Sequence, residues 1–197
     1  ILDATAIPFR GDGVVAPDHG RPYAGCVDTD PGRLRIGLMP DNHRLETHPD
    51  CEAATRRTAD LLTGLGHEVV ESRPEAFLQL GELQEMAWAF TVNWSATAVV
   101  SLVTLGEQLG RTVTADDVEP GTWAMAELGR GYTAPDYIRS QGILGGWRRS
   151  MASWWTNFDL LLTPTTAQPP AHIGELTPTD DDPVRGSKGS LPYSVYT

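Results

Sequence analysis

The most nucleophile-like group in the sequence is the run Gly186-Ser187-Lys188-Gly189-Ser190, in which a lysine follows a serine. A neutral, desolvated lysine can activate a serine hydroxyl for attack on a carbonyl carbon. Lys188 follows the acidic loop Asp180-Asp181-Asp182, which favours its charged form. Side chains of adjacent residues also point apart in an extended chain. We therefore expect no catalytic role for this pair. Asp18-His19, which would need a distant serine, is a weaker candidate still.

Three threonines form a second group of candidates, directly after the run Leu160–Leu162. This run is apolar and uncharged, and it ends before Pro164, which cannot donate to a strand ladder. It predicts a strand in the middle of a sheet, buried on both faces. Binding sites of open α/β sheets gather outside the carboxyl ends of strands. The threonines either line a cleft there or only cap the backbone of a turn; they are Thr163, Thr165 and Thr166.

The longest uncharged stretch, Met86 to Gly106, carries two tryptophans and an amide side chain. An uncharged helix with aromatic and amide groups can wall an apolar ligand pocket that has a few polar contacts. Asn93 and Trp94 are the candidates for such a wall. Core packing is the favoured interpretation of Trp88, whereas pocket and core remain equal alternatives for Trp94.

The same stretch is long enough to span a bilayer. It contains several polar residues, and its flanking charges, Glu85 and Glu107, are acidic, so no basic excess orients it. We predict a buried helix of a soluble protein that does not enter a membrane. The start of the sequence, Ile1 to Ala6, has neither the basic nor the long apolar region of a signal peptide. We therefore expect a cytoplasmic location.

Composition excludes several classes of function. The 197 residues are 40% hydrophobic and 21% charged, as in a soluble globular domain. The net charge is −11 and the isoelectric point near 4.7, whereas a protein that binds nucleic acid needs a basic face. Five scattered histidines and two cysteines form no metal-ligand spacing. We expect no metal, no cofactor and no nucleic-acid partner.

The elements that position these groups predict an α/β fold, a mixed sheet with flanking helices. Arg33–Met39 alternates as a strand, Thr47–Gly66 has helix caps and an apolar stripe, and His67–Glu71 is a second strand. This order is that of a parallel βαβ unit. Further helices are predicted over Glu82–Leu105, Trp123–Leu128 and Thr133–Phe158, with glycines at 142, 145 and 146 marking close packing. Residues 1–31 are assigned to the end of a preceding helix and a connector, and residues 32–197 to the domain.

Taken together, these segments resemble the amidase signature family. The resemblance is carried by Leu2–Ala6, the strand Leu34–Met39, the helix end Leu65–Val69 and Phe158–Thr165. A narrower resemblance, to the branch of 6-aminohexanoate-cyclic-dimer hydrolases, is carried by Gly106–Arg111, Asp116–Glu119, Ile173–Leu176 and Gly189–Leu191.

The resemblance implies a serine amidase that attacks an amide carbonyl and forms an acyl-enzyme. Family members use a lysine, a cis-serine and a nucleophilic serine, all in an N-terminal Gly/Ser-rich region that nothing here matches. The resemblance places Ile1 after that region and Thr197 just before an Asn-x-x-Gly-x-Pro segment. It therefore implies an incomplete amidase-signature fold, the middle-to-late part of an amidase, without catalytic residues and inactive alone.

Counting back from Gly106, Trp94 falls where that branch places a pocket residue, although it is larger than the residue expected there. The resemblance thus implies a substrate-binding role for Trp94 and a small-molecule amide as substrate, and we assign Asn93 and Thr165, as candidates from the residues themselves, to the same substrate site. The apolar strand Leu160–Leu162 would need neighbours on both sides, which predicts self-association of the chain alone. Two other functions remain open: a non-catalytic α/β ligand-binding module around Thr165 and Trp94, and a small hydrolase that uses Ser187.

Overall fold

A computed structural model of the chain describes residues 1–5, 11, 15, 20–41, 46–77, 80–179 and 181–196. The chain divides into two compact units, Ile1–Arg33 and Leu34–Thr197. In the first unit, a short helix α1 (Leu2–Thr5) is followed by a 3-10 turn (Tyr23–Cys26). The Asp3 carboxylate accepts backbone hydrogen bonds from Tyr23 and from Ala24, the latter at 2.9 Å. The candidate pair Asp18-His19 lies outside the described residues.

The second unit contains a parallel sheet of three strands. They are β1 (Arg35–Leu38), β2 (Glu68–Glu71) and β3 (Leu160–Leu162), and their order is β2-β1-β3. Ile36 pairs with Val69 on one side and with Leu160 on the other. The predicted α/β class with flanking helices is confirmed, and every pairing between the described strands is parallel.

Helix α2 (Pro49–Gly64) joins β1 to β2 and begins and ends as predicted. His48 is the N-cap residue, and its Nδ1 accepts a hydrogen bond from the Asp50 N–H at 3.2 Å. Pro49 occupies the first turn, where the missing N–H costs nothing. Gly66 has a φ of +95°, the left-handed conformation that glycine adopts freely after a helix.

Three longer helices pack together as a separate layer: α3 (Leu80–Leu109), α4 (Pro120–Arg130) and α5 (Ala134–Trp154). The apolar core between α3 and α4 is formed by Leu102 on α3, Ala126 on α4 and Val113 in the segment that joins them. α4 approaches α3 closely because it has a glycine at the crossing. A Cβ atom on Gly129 would lie only 2.6 Å from the Ser95 carbonyl carbon. The prediction that the glycines of α5 mark close packing is wrong: nothing lies within 4 Å of a Cβ at Gly142.

Two predictions about burial are also wrong. β3 is an edge strand, not the middle of the sheet: it pairs only with β1 among the described strands, and Leu160 is 49% exposed. α3 is buried on one side only. The segment Gln84–Leu109 has the length and apolarity of a membrane span, a test that core helices of soluble proteins also pass, and 22% of its most apolar window is buried. An apolar sequence indicates which residues are favoured to be buried. Whether they are buried depends on the elements that pack against them.

The C-terminal region contains the short helix α6 (Arg185–Gly189). The interpretation of residues 186–190 as extended chain is therefore wrong.

Candidate functional site

Asn93 is anchored between two helices. Its Nδ2 donates hydrogen bonds to the Ala89 carbonyl within α3 (2.8 Å) and to Ser140 Oγ on α5 (2.7 Å). Its Oδ1 accepts a hydrogen bond from Gln141 Nε2. Both amide hydrogens are therefore engaged within the protein, and the side chain holds α3 against α5.

Ser140 completes this network from a fully buried position. Its Oγ accepts the hydrogen bond from Asn93 and donates to the Tyr137 carbonyl at 2.7 Å. A buried hydroxyl with both of its roles satisfied stabilises one defined arrangement of the two helices. Sequence reasoning missed Ser140 and Gln141. The start of α5 was recognisable from the capping box of Thr133 and Asp136, but not the residue on α3 that α5 would meet.

Trp94 lies next to Asn93 on α3 but points to another side of the helix. Its side chain is 46% exposed, and its ring is tilted by 47° against Phe90, with 6.0 Å between the centroids. Phe90 precedes it by four residues and hence lies on the same helix face. The exposure argues against a core role for Trp94 in the described chain. Trp88, by contrast, is half-buried and packs edge-on against Tyr132 at 6.3 Å.

The threonines after β3 separate into different roles. Thr166 Oγ1 donates to the Gln168 carbonyl at 2.9 Å, so this threonine caps the backbone of a turn, one of the two roles considered for it. Gln168 Nε2 in turn donates to the Glu46 carbonyl at 2.7 Å and ties this loop to the start of α2. Thr165 directly precedes Thr166 and is exposed. No described hydrogen bond or ring contact joins Thr165 to Asn93 or Trp94.

Two concave regions border α3. One, of about 290 Å³, lies between α3 and α5 and is lined by Glu85, Ile143, Gly146, Trp147 and Ser150. The other, of about 510 Å³, lies around the C-terminal end of α3, where Val103, Gly106 and Arg111 contribute to its lining. Neither region is lined by Asn93, Trp94 or Thr165.

The lysine of the serine–lysine pair is engaged by an acidic side chain. Lys188 Nζ lies 3.2 Å from Asp182 Oδ1, in the ion pair that the acidic loop predicted. The Ser187 carbonyl accepts a hydrogen bond from Ser190 Oγ at 2.9 Å. Within the described ranges, no group of three or more His, Cys, Asp or Glu side chains is placed to hold a metal ion.

The acidic groups with shifted pKa values have structural partners. The Arg35 side chain lowers the pKa of the Asp159 carboxyl, which also accepts from the Arg35 backbone N–H at 2.8 Å. These contacts between Arg35 and Asp159 fix the start of β3 against the start of β1. Arg111 lowers the pKa of Asp117, and the Thr133 hydroxyl lowers that of Asp136. Each of these carboxylates stabilises a turn or a strand end, and these structural contacts account for its lowered pKa.

Comparison with known proteins assigns the family. The family model described as Amidase matches residues 5–192. The 6-aminohexanoate-cyclic-dimer hydrolase of Paenarthrobacter ureafaciens is 31% identical over 209 residues, which cover 100% of this chain and 41% of that protein. The corresponding hydrolase of Pseudomonas sp. (strain NK87) is 33% identical over 179 residues, covering 89% of this chain and 36% of that protein.

Solved structures agree with this assignment. A 6-aminohexanoate cyclic dimer hydrolase in complex with substrate matches with a TM-score of 0.86 and 29% identity, covering 96% of this chain and 39% of that chain. A bacterial aryl acylamidase of the amidase signature enzymes shares the fold, with a TM-score of 0.59 at 19% identity. The chain thus spans about two fifths of the length of the hydrolases it matches. The predicted resemblance is confirmed, and the chain belongs to the amidase family.

Proposed function

We propose that the chain supplies part of the sheet and one wall of the substrate pocket of a serine amidase, a cytoplasmic enzyme that hydrolyses carbon–nitrogen amide bonds. The observation that supports this most directly is the exposed aromatic pair of Trp94 and Phe90 on a helix whose other side is fixed. The catalytic lysine and serines lie outside this chain in the proposal, and the chain alone is inactive.

The wall is rigid because Asn93 fixes the helix beside Trp94. Its bonds to Ala89 and Ser140 are 2.8 and 2.7 Å long and leave no free amide hydrogen. Asn93 therefore serves the pocket by positioning Trp94 rather than by binding substrate directly. A wall held this way keeps its shape when substrate binds, which lowers the entropic cost of binding.

The substrate class follows from the aromatic surface and from the relatives. The hydrolases that match this chain are named for the cyclic dimer of 6-aminohexanoate, an amide with aliphatic segments. The rings of Trp94 and Phe90 suit such an apolar segment, which would bury their exposed area. We therefore propose small amides with an aliphatic acyl portion as substrates, and Thr165 as a polar contact at the end of β3.

A chimeric enzyme tests this function. This chain would replace the matched portion of the Paenarthrobacter hydrolase, and kcat/KM would be measured on a series of aliphatic and cyclic amides. We expect turnover in the chimera. Trp94→Ala should change the preference between bulky and small acyl groups by about tenfold, as expected for removal of one pocket wall. Its melting temperature should change little, because the side chain is already half exposed.

Trp155→Ala is the matched control. Trp155 is similarly exposed, at 43%, but it lies at the C-terminal end of α5 and not on α3. Equal changes of preference in both variants, or none in either, would contradict the assignment of Trp94. For the chain alone, we expect no amine release from the same amides. Turnover by the chain alone that disappears in Ser187→Ala would instead support the small hydrolase.

A further inference from the structure

The concave region of about 510 Å³ around the C-terminal end of α3 combines an apolar surface with charges of both signs. Its volume is within the range of small-molecule sites. Leu102 and Val113 also belong to the apolar core between α3 and α4, so packing holds this part of the region in place. The apolar and charged side chains of the lining are those of Leu102, Val103, Val113, Glu107, Arg111 and Arg130.

A tight turn after α3 shapes one side of this region. Gly110 has a φ of +66°, in the left-handed range, and the Arg111 N–H donates to the Gly106 carbonyl at 3.1 Å. A Cβ atom on Gly106 would lie 2.9 Å from the Arg111 carbonyl oxygen, closer than ordinary contacts of a Cβ atom. The run Gly106–Arg111 thus brings Arg111 back beside the last turn of α3.

Arg111 is a fixed part of the lining. Its Nη1 and Nη2 donate to the two carboxylate oxygens of Asp117 at 2.8 and 2.7 Å, and Asp117 also accepts from the Thr114 N–H at 2.8 Å. This bidentate pair balances the charge of Arg111 and holds its side chain in one orientation. Arg111 therefore borders the region without adding an uncompensated positive charge.

Arg130 retains donors for a ligand. Its guanidinium lies over the Trp123 ring, with Cζ 5.0 Å from the ring centroid, and its Nη1 donates to Glu127. Among the described residues, no hydrogen bond uses Nε or Nη2 of Arg130. Two parallel N–H groups of a guanidinium bind a carboxylate in bidentate fashion. The contact with Trp123 holds the guanidinium in place for such binding.

Glu107 gives the same region a negative end. It lies in the last turn of α3, at the negative end of the helix dipole, and this turn contains no basic residue. Within the described part of the chain, Glu107 takes part in no ion pair. A carboxylate at this end of a helix is unfavourable without a cation nearby, so the position favours an ammonium group.

We propose that this region binds linear ω-amino carboxylates, zwitterions whose ammonium and carboxylate groups are separated by methylene groups. Arg130 binds the carboxylate, the methylene groups lie on Val103 and its apolar neighbours, and the ammonium group lies near Glu107. A simple anion is repelled by Glu107 and by the net charge of −11, whereas a zwitterion carries no net charge. The binding is independent of the proposed amide hydrolysis, because Trp94 does not line this region.

Titration calorimetry of the 197-residue chain tests the proposal. The probes are linear ω-amino acids from 4-aminobutanoate to 8-aminooctanoate, each with the alkanoate and the alkylamine of the same chain length. For the best ω-amino acid we expect a dissociation constant of about 1 mM or lower, and at least about tenfold weaker binding of its two matched compounds. No binding of any ω-amino acid at roughly 10 mM, or equal binding of all three compounds, would overturn the proposal. The assay needs no turnover, so failure of the proposed hydrolysis leaves its result unchanged.

Matched variants locate the two charged ends of the ligand. Arg130→Gln should weaken binding of the ω-amino acid by about tenfold or more and remove its advantage over the alkylamine. Glu107→Gln should remove its advantage over the alkanoate. Arg148→Gln is the control, because Arg148 is exposed on α5 and does not line the region, and it should change the affinity by less than about threefold. Circular dichroism should show all three variants folded. Equal weakening in Arg130→Gln and Arg148→Gln, or unchanged selectivity in Glu107→Gln, would refute the assignment.

Discussion

Gly129→Ala should destabilise the protein although it adds a better helix former to the last turn of α4. The new Cβ would lie 2.6 Å from the Ser95 carbonyl carbon, and ordinary contact begins at 3.4 Å. The nearest obstacle is the Ser95 carbonyl group, which belongs to the backbone and cannot rotate away, so α3 and α4 must separate by about 1 Å at this point. Overpacking of this kind costs about 1–3 kcal/mol. The higher helix propensity of alanine offsets about 0.5–1 kcal/mol of this cost.

The net loss is therefore up to about 2.5 kcal/mol, which lowers the melting temperature of a protein of this size by up to about 10 °C. Gly142→Ala is the control, because Gly142 is also inside a helix but has no atom within 4 Å of an added Cβ. It should gain about 0.5–1 kcal/mol. Urea unfolding followed by circular dichroism measures both variants. If Gly129→Ala were as stable as Gly142→Ala, the close approach of α4 to α3 would be wrong.

Two further predictions concern charges that fix local structure. Asp117 has a lowered pKa in the folded state, so its stabilising effect is present above the unfolded-state pKa of about 3.9 and is lost as pH falls through the folded-state pKa. Asp117→Asn should be less stable than the unmodified protein at pH 7 in urea unfolding, and the difference should shrink below about pH 4; a constant difference would contradict the role of ionisation. Asp159→Asn weakens the side-chain bonds that join β3 to Arg35, so hydrogen exchange of β3 amides should accelerate while that of α4 stays unchanged. Equal acceleration in both elements would show that the carboxylate stabilises the fold as a whole.

Local signals in the sequence were sufficient to place the βαβ unit and most helix starts. A cap residue and a proline in the first turn act on their own backbone, and this is why His48 and Thr133 begin α2 and α5 as expected. The same holds for Gly66, whose positive φ is a property of one residue. These interactions involve neighbours in the chain, and the sequence therefore contains all that is needed to predict them.

The predictions that were wrong depend on neighbours distant in the chain. Gly129 and Gly142 are both glycines within helices, yet only Gly129 meets another helix closely, because α3 passes over it. Leu160–Leu162 has the composition of a central strand, but its place at the edge is set by which strands pair with it. Composition determines the free-energy cost of exposing a residue to solvent. It does not determine which element packs against that residue.

Asn93 shows how this limit affects the candidate site. An amide on an uncharged helix predicts a polar contact to a ligand, and its partners in the structure are Ser140 and Gln141 on α5. In the proposed function, the position of Trp94 is controlled by this network in the helical layer, whereas catalytic groups of α/β enzymes gather at strand ends. Substitutions at Ser140 should therefore shift the position of the aromatic wall without touching the chemical step. In the proposed amidase, acyl specificity and the nucleophile then lie on different parts of the fold and can change independently.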